Sequence, residues 1–142
     1  MFGHPIHPAL VHFPLGLLFS ATLADLAWLA GLTSDTHIGA VLMAGGLAAG
    51  LLAMAAGMFD FTRLDQAIVP HALRQVAAVG LAWLGYAIAL YLRKDSLLAA
   101  APLETATVAV SIASGLILAV GGWFGGRLVY TFGAGVSKIE GR

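Results

Sequence analysis

The sequence predicts an all-α protein, an integral membrane four-helix bundle with up-down topology. Three observations lead to this prediction. Of the 142 residues, 60% are hydrophobic and only 10% are charged, whereas soluble domains average about 45–50% apolar and about 25% charged residues. Four stretches are each apolar over about the 20 residues that a helix needs to cross the hydrocarbon. Short segments connect these stretches, and short connections favour antiparallel neighbouring helices.

The four predicted spans are bounded by charged residues. Residues 12–32, 38–59, 74–93 and 104–127 form these spans, and the third starts near residue 71. A charged side chain costs roughly 2.5–3.5 kcal/mol at the centre of a membrane helix, so charges collect at helix ends. Asp25 is the exception, because it interrupts the first span. The connecting segments contain Ser, Thr, Asp and Pro residues that favour helix starts.

The segment before the first span is rich in histidine and proline. Residues 4–14 read HPIHPALVHFP, with three residues of each type. Proline lacks a backbone N–H and disfavours helix at the preceding residue, so we expect an extended lead-in through residues 5–8. His4 and His7 would then lie at the membrane surface, and His12 just inside the first helix. No positively charged segment precedes the first span, which is therefore expected to stay in the membrane.

Four spans put both termini on one side of the membrane, called here the amino-terminal side; the opposite side is the far side. Residues 1–136 are expected to form a single domain, while residues 137–142, SKIEGR, resemble a factor Xa cleavage site left from expression. Without that scar, three Lys and Arg residues fall on the amino-terminal side and two on the far side. This count favours a cytoplasmic amino-terminal side. Four of the five histidines fall on the same side, namely His4, His7, His12 and His71.

Two of these histidines predict a haem site. His12 and His71 are expected at similar depth on two helices that run in the same direction and are diagonal in the bundle. A diagonal of roughly 12–14 Å follows from neighbouring axes about 8–10 Å apart, and it suits two imidazoles that bind one iron. Arg74 or Arg63 can pair with the haem propionates. Gly16 leaves room for the ring one turn after His12. The sequence thus predicts a b-type cytochrome that binds haem b and passes electrons to a redox partner protein.

A metal site without haem is the alternative for the same side of the membrane. Imidazole and carboxylate ligands suit zinc or copper, and such a site would make the protein a metal-binding or transport module. The candidate metal ligands are His4, His7, His12 and Asp60, with His71 as a further imidazole.

Two other classes of function have less support from the sequence. An enzyme that transforms a substrate is less supported, because no nucleophile–base pair stands out. Equal numbers of basic and acidic residues provide no excess positive charge for binding nucleic acid.

Glycines recur at helical spacing in the second and fourth spans. Small residues let membrane helices approach closely, which predicts tight packing or a homodimer through these stripes. A structural membrane subunit with the stripes as its partner interface is therefore a third candidate function. The stripes can also leave space for a flat cofactor against the backbone. Their members are Gly39, Gly46, Gly50 and Gly57 in the second span and Gly121, Gly122, Gly125 and Gly126 in the fourth.

Two polar residues lie apart from the histidine cluster. Asp25 is expected about halfway across the membrane, roughly 20 Å beyond His12 along the helix. An ionisable residue at such depth faces the bundle interior and is commonly functional, so a proton path is one interpretation. His37, the one histidine on the far side, is expected to cap a helix or to lie at the interface. Candidate structural partners for the aspartate are Ser111, Ser114 and Trp28.

Four segments of the chain resemble a known family. They are HPIHPALVHFPLGLLFSATLADL at 4–26, GMFDFTRLD at 57–65, His71, and GWFGGRLVYTFGAGV at 122–136. Together they resemble a bacterial family of four-helix membrane proteins of unknown function. Members of that family occur fused to Rieske iron–sulfur or c-type cytochrome domains, which implies a redox setting, although this chain has no Cys for either centre. The family pattern includes His4, His7, His12, Asp25, Asp60, Arg63, His71, Gly125, Gly126 and Tyr130.

Overall fold

The computed structural model of the chain describes residues 6–62 and 64–133, with the backbone alone at residues 6–10 and 60. Four long helices make up most of this part, and a short 3₁₀ helix follows the third of them. All four long helices are long and apolar enough to cross a membrane, and no strand occurs in the described ranges. The predicted all-α membrane bundle is confirmed. Its elements are α1 (Ile6–Leu29), α2 (His37–Phe61), α3 (Val69–Leu92), the 3₁₀ helix (Lys94–Leu97) and α4 (Thr105–Tyr130).

Successive helices pack as two hairpins that close into one bundle. The most extensive contacts are those of α1 with α2 and of α3 with α4, while α1–α4 and α2–α3 contacts join the hairpins. The first and third helices are therefore diagonal, as the sequence predicted. Side chains from all four helices fill the centre, and many large apolar side chains on the outer faces are exposed, as expected for surfaces that contact lipid. The central side chains include Leu18, Met43, Tyr86 and Leu118.

The start of the first helix differs from the expectation of an extended lead-in. α1 begins at Ile6, so the predicted extended conformation through residue 8 is wrong for residues 6–8. The N–H groups of a first helical turn have no intrahelical partner, so a proline at Pro8 removes no helix hydrogen bond. Pro14 departs further from the usual position of a proline in the first turn, because it lies inside the helix and is buried. Its ring packs towards α2, where a Cβ at Gly50 would lie 3.9 Å from Pro14 Cβ.

Glycines of two predicted stripes make the close helix contacts. A Cβ at Gly46 would lie 2.7 Å from Leu18 Cδ2, and one at Gly121 would lie 2.8 Å from Val79 Cγ2. Such distances are too short for a real methyl group, so only glycine permits these helices to approach this closely. The packing interpretation is thus confirmed within the chain, both for α1–α2 and for α3–α4. Further contacts of this kind involve Gly50 with Trp83 and Gly125 with Gln75.

Polar contacts on the far side hold the loops and the 3₁₀ helix in place. Asp35 Oδ1 accepts a hydrogen bond of 2.8 Å from the backbone N–H of His37, at the start of α2. The ring nitrogen Nδ1 of His37 lies 2.9 Å from the carbonyl oxygen of Ser96. Thr36 donates to the carbonyl of Ala101 at 2.8 Å. His37 therefore joins the start of α2 to the 3₁₀ helix, at the helix end where the sequence placed it.

Replacing Gly46 by alanine is expected to destabilise the bundle by about 1–3 kcal/mol, because the new methyl group overpacks the core. The matched control is Gly45→Ala, whose Cβ would meet only Leu17 Cδ1, at an ordinary 3.5 Å. The free energy of unfolding, measured by titrating SDS into micelles of a mild detergent, compares the two variants. Equal loss of stability in both variants would contradict the packing argument.

Candidate functional site

His71 lies in the first turn of α3 at the amino-terminal side of the bundle. Its side chain is half-buried, and its ring stacks on Phe132, with ring centroids 4.4 Å apart. Phe132 follows the end of α4, so this contact joins the start of α3 to the end of α4. Arg74 lies one turn further along α3 and is exposed. An imidazole and a guanidinium thus lie close together along one helix, as the sequence predicted.

His12 lies on α1 and is exposed. Thr22 lies on the face of α1 that meets α4, because a Cβ built on Gly115 of α4 would lie 3.2 Å from Thr22 Oγ1. At 3.6 residues per turn, His12 lies about 80° around the helix from Thr22, on the side away from α2. Gly16, one turn after His12, has no described atom within 4 Å of a Cβ built on it. Among the described residues, the surface at Gly16 is therefore open.

Two glycines of α4 present bare backbone at the same end of the bundle. Gly122 and Gly126 lie about two and three turns after Gly115 on the same face of α4, so they face α1. No described atom lies within 4 Å of a Cβ at either residue. At Gly115, by contrast, a Cβ would lie 3.2 Å from Thr22 Oγ1 of α1. We call the surface formed by Gly122 and Gly126 the glycine cleft.

The two histidines of the haem hypothesis lie at the same end of the bundle. His71 meets the end of α4 through Phe132, and His12 lies on the side of α1 away from α2. Arg127, near the end of α4, lies over the ring of Trp123 at 5.1 Å. This end of the bundle thus combines two imidazoles, exposed guanidinium groups and the glycine cleft.

The remaining predicted ligands lie outside the described part of the chain. His4 and Arg63 are outside it altogether, and only the backbone is described at His7 and Asp60. Within the described side chains, no group of three or more His, Cys, Asp or Glu residues has the arrangement of a metal site. The predicted zinc or copper site, which depends on three of these four residues, stays a prediction.

A second polar site, which the sequence indicated only in part, lies near the far end of the bundle. Arg93 Nη1 donates a hydrogen bond of 2.6 Å to Asp25 Oδ1, and both side chains are almost completely buried. Arg93 is the residue at which α3 ends, so its side chain turns back into the bundle. A Cβ at Gly39 of α2 would lie 3.0 Å from Arg93 Nη1 and 3.1 Å from Asp25 Oδ1. Glycine at this position gives the ion pair its space.

Hydroxyl groups of three helices form a polar cluster in the core. Thr22 Oγ1 and Tyr86 Oη lie 2.7 Å apart and are hydrogen-bonded. Thr22 Oγ1 also lies 3.5 Å from Ser111 Oγ. This hydroxyl cluster, defined as Thr22, Tyr86 and Ser111, links α1, α3 and α4 in the centre of the bundle.

Two expectations for Asp25 are corrected by this geometry. The predicted partners Ser111, Ser114 and Trp28 are wrong, because the hydrogen-bonding partner is Arg93. The predicted position halfway across the membrane is also wrong, since Asp25 lies one turn before α1 ends at Leu29. The exposed fraction of Asp25 is only 2%, which confirms the predicted orientation of its side chain towards the bundle interior. The sequence held a signal for this partner. A buried carboxylate requires a cation, and Arg93 is a charged residue that bounds the third span at the same end of the bundle.

Replacing one residue of the ion pair is expected to lower the free energy of unfolding more than replacing both. Asp25→Leu leaves a buried guanidinium without its counter-charge, which costs about 3–5 kcal/mol in comparable proteins. The double variant Asp25→Leu/Arg93→Met removes both charges and should recover much of that loss. A double-mutant cycle of the free energy of unfolding in detergent measures the coupling between the two side chains. Additive effects of the two substitutions would contradict a direct interaction.

Comparison with known proteins identifies the family of the chain. A family model described as a predicted membrane protein, DUF2231, matches residues 3–138. No curated protein and no solved structure matches the chain. The matched range contains both polar sites, the histidines at the amino-terminal side and the ion pair at the far end. The chain, a four-helix membrane protein, therefore belongs to the DUF2231 family.

Proposed function

We propose that this protein is a membrane-embedded b-type cytochrome that transfers electrons. Haem b would be held at the amino-terminal side of the bundle, where the imidazoles of His12 and His71 would bind its iron. The protein would exchange electrons with a redox partner protein in or beside a bacterial inner membrane. Bound haem supplies a one-electron iron couple, whereas the chain supplies ligands, polarity and exclusion of water.

The observation that carries this proposal is the combination of imidazole and open backbone at one helix end. A porphyrin is flat and needs a surface without protruding side chains. The glycine cleft offers such a surface, since Gly122 and Gly126 face α1 with no described atom within 4 Å of their Cβ positions. His12 and Gly16 border that space from α1. Neutral imidazoles are common axial ligands of haem iron.

Charged and aromatic groups at the same end fit the edge of a haem. Arg74 is exposed one turn after His71, and Arg127 is exposed over the ring of Trp123. Guanidinium groups bind carboxylates through paired hydrogen bonds, so either arginine suits a propionate at the membrane surface. His71 packs on Phe132, which restricts the imidazole orientation. These side chains bind and orient the group, and they leave its edge near the aqueous phase for electron exchange.

Protein purified from haem-replete membranes is expected to show a Soret band and reduced α and β bands. His12→Ala and His71→Ala should each abolish or shift these bands, because a haem that loses an axial ligand changes spin state or dissociates. His37→Ala is the matched control, since this histidine contacts Ser96 on the far side. A colourless preparation, or bands unchanged in both ligand variants, would contradict the proposal. Zinc or copper in a colourless preparation would instead favour the metal-site alternative.

Filling the glycine cleft is expected to exclude haem without unfolding the protein. Gly126→Leu places a side chain in open space, so the bundle should fold while haem content falls several-fold. Gly80→Leu is the matched control, because a Cβ at Gly80 on α3 also meets no described atom within 4 Å. The measurement is the ratio of haem to protein, with circular dichroism as the check on folding. Equal haem content in the two variants would place haem outside the cleft.

A further inference from the structure

We propose that the Asp25–Arg93 ion pair is a binding site for water that exchanges with the solution on the far side. The two side chains form a single hydrogen bond, between Arg93 Nη1 and Asp25 Oδ1. Three other polar atoms of the pair are buried and have no hydrogen-bond partner among the described residues. They are Asp25 Oδ2, Arg93 Nε and Arg93 Nη2. The site is independent of the proposed haem site, which lies at the opposite end of the bundle.

The three atoms define the kind of ligand by their hydrogen-bonding chemistry. Arg93 Nε and Nη2 both donate, whereas Asp25 Oδ2 accepts. A ligand at this site must therefore offer an acceptor to the guanidinium and a donor to the carboxylate. Water does both, and a buried water typically makes about three hydrogen bonds to polar groups that lack other partners. Leaving a buried polar group without a partner is unfavourable.

Charge and size exclude larger or charged ligands. The carboxylate already balances the guanidinium, so an anion bound to Arg93 would bring an uncompensated charge into a low-dielectric interior. The side-chain exposures of 0% and 2% leave no surface through which an organic molecule could contact the pair. Gly39 packs closely against both charged groups, which further reduces the volume available to a ligand beside the ion pair. A small neutral molecule is the class that fits.

Hydrogen bonds join a cavity on the far side to the backbone beside the ion pair. The cavity has a volume of about 410 Å³, with Trp28 and Thr36 among its lining residues. Ser96 Oγ donates a hydrogen bond of 3.4 Å to Thr36 Oγ1, and the backbone N–H of Ser96 donates to the carbonyl of Arg93. We expect water from the far side to reach the pair past Thr36 and Ser96.

X-ray radiolytic labelling tests the proposal on the full chain in lipid nanodiscs, with water itself as the probe. Radicals formed from bound water oxidise the side chains beside it, including side chains with no exposed surface. Met43 lies one turn after Gly39 on α2, and both Met43 and Tyr86 have 0% exposure. We expect these two residues to be oxidised several-fold faster in the wild-type protein than in Asp25→Leu/Arg93→Leu, which introduces no further methionine at the site. That double variant lacks all three unpartnered atoms.

Met58, which is 72% exposed and lies at the other end of α2, is the internal control and should be oxidised equally in both proteins. Equal oxidation of Met43 and of Tyr86 in the two proteins overturns the proposal. Should the double variant fail to fold, a wild-type structure at a resolution that shows ordered water decides the question. A water peak within hydrogen-bonding distance of Asp25 Oδ2 or the Arg93 edge supports the proposal, and no peak at either position overturns it.

Discussion

Close approach of helix backbones at small residues is the constraint on which the rest of this bundle depends. Lipid is as apolar as leucine, so burying leucine between membrane helices provides little driving force, and tight van der Waals contact must replace it. Gly46 permits α2 to contact Leu18 of α1, and Gly121 permits α4 to contact Val79 of α3. The hairpins are then joined by contacts such as that of Trp83, whose indole N–H donates to the Leu47 carbonyl at 3.1 Å.

The two ends of the bundle differ in how their polar groups are used. At the far end, polar side chains bind other polar groups of the protein: Asp25 binds Arg93, and His37 contacts the Ser96 carbonyl. Such contacts hold the hairpins at a defined separation. At the amino-terminal side, the ring of His71 stacks on Phe132, and Gly122 and Gly126 present bare backbone. The proposed haem site and the ion pair therefore lie at opposite ends of the bundle.

Much of this architecture was predictable because membrane insertion acts on composition and spacing. Hydropathy and bracketing charges predicted four helices, and short loops predicted their antiparallel order, both of which the structure contains. The start of α1 was predicted less well, since proline was expected to prevent a helix that its first turn tolerates. The depth of a residue along a helix follows from counting, but the direction in which its side chain points does not. His12 and His71 lie at the same end of the bundle as expected, but the stacking of His71 on Phe132 could not be read from the sequence.

By itself, the sequence determined that the chain crosses a membrane four times, where its polar residues lie along each helix, and which glycines permit close packing. Those properties follow from the cost of charge in hydrocarbon and from the periodicity of the helix. Only the tertiary structure decided which partners meet, because rotation and tilt of each helix depend on contacts with the other three. Arg93 is the clearest case: as a residue bounding a span it was expected near the surface, and the end of α3 turns it inwards onto Asp25. The same packing separates Gly121, which meets Val79, from its neighbour Gly122, which faces open space.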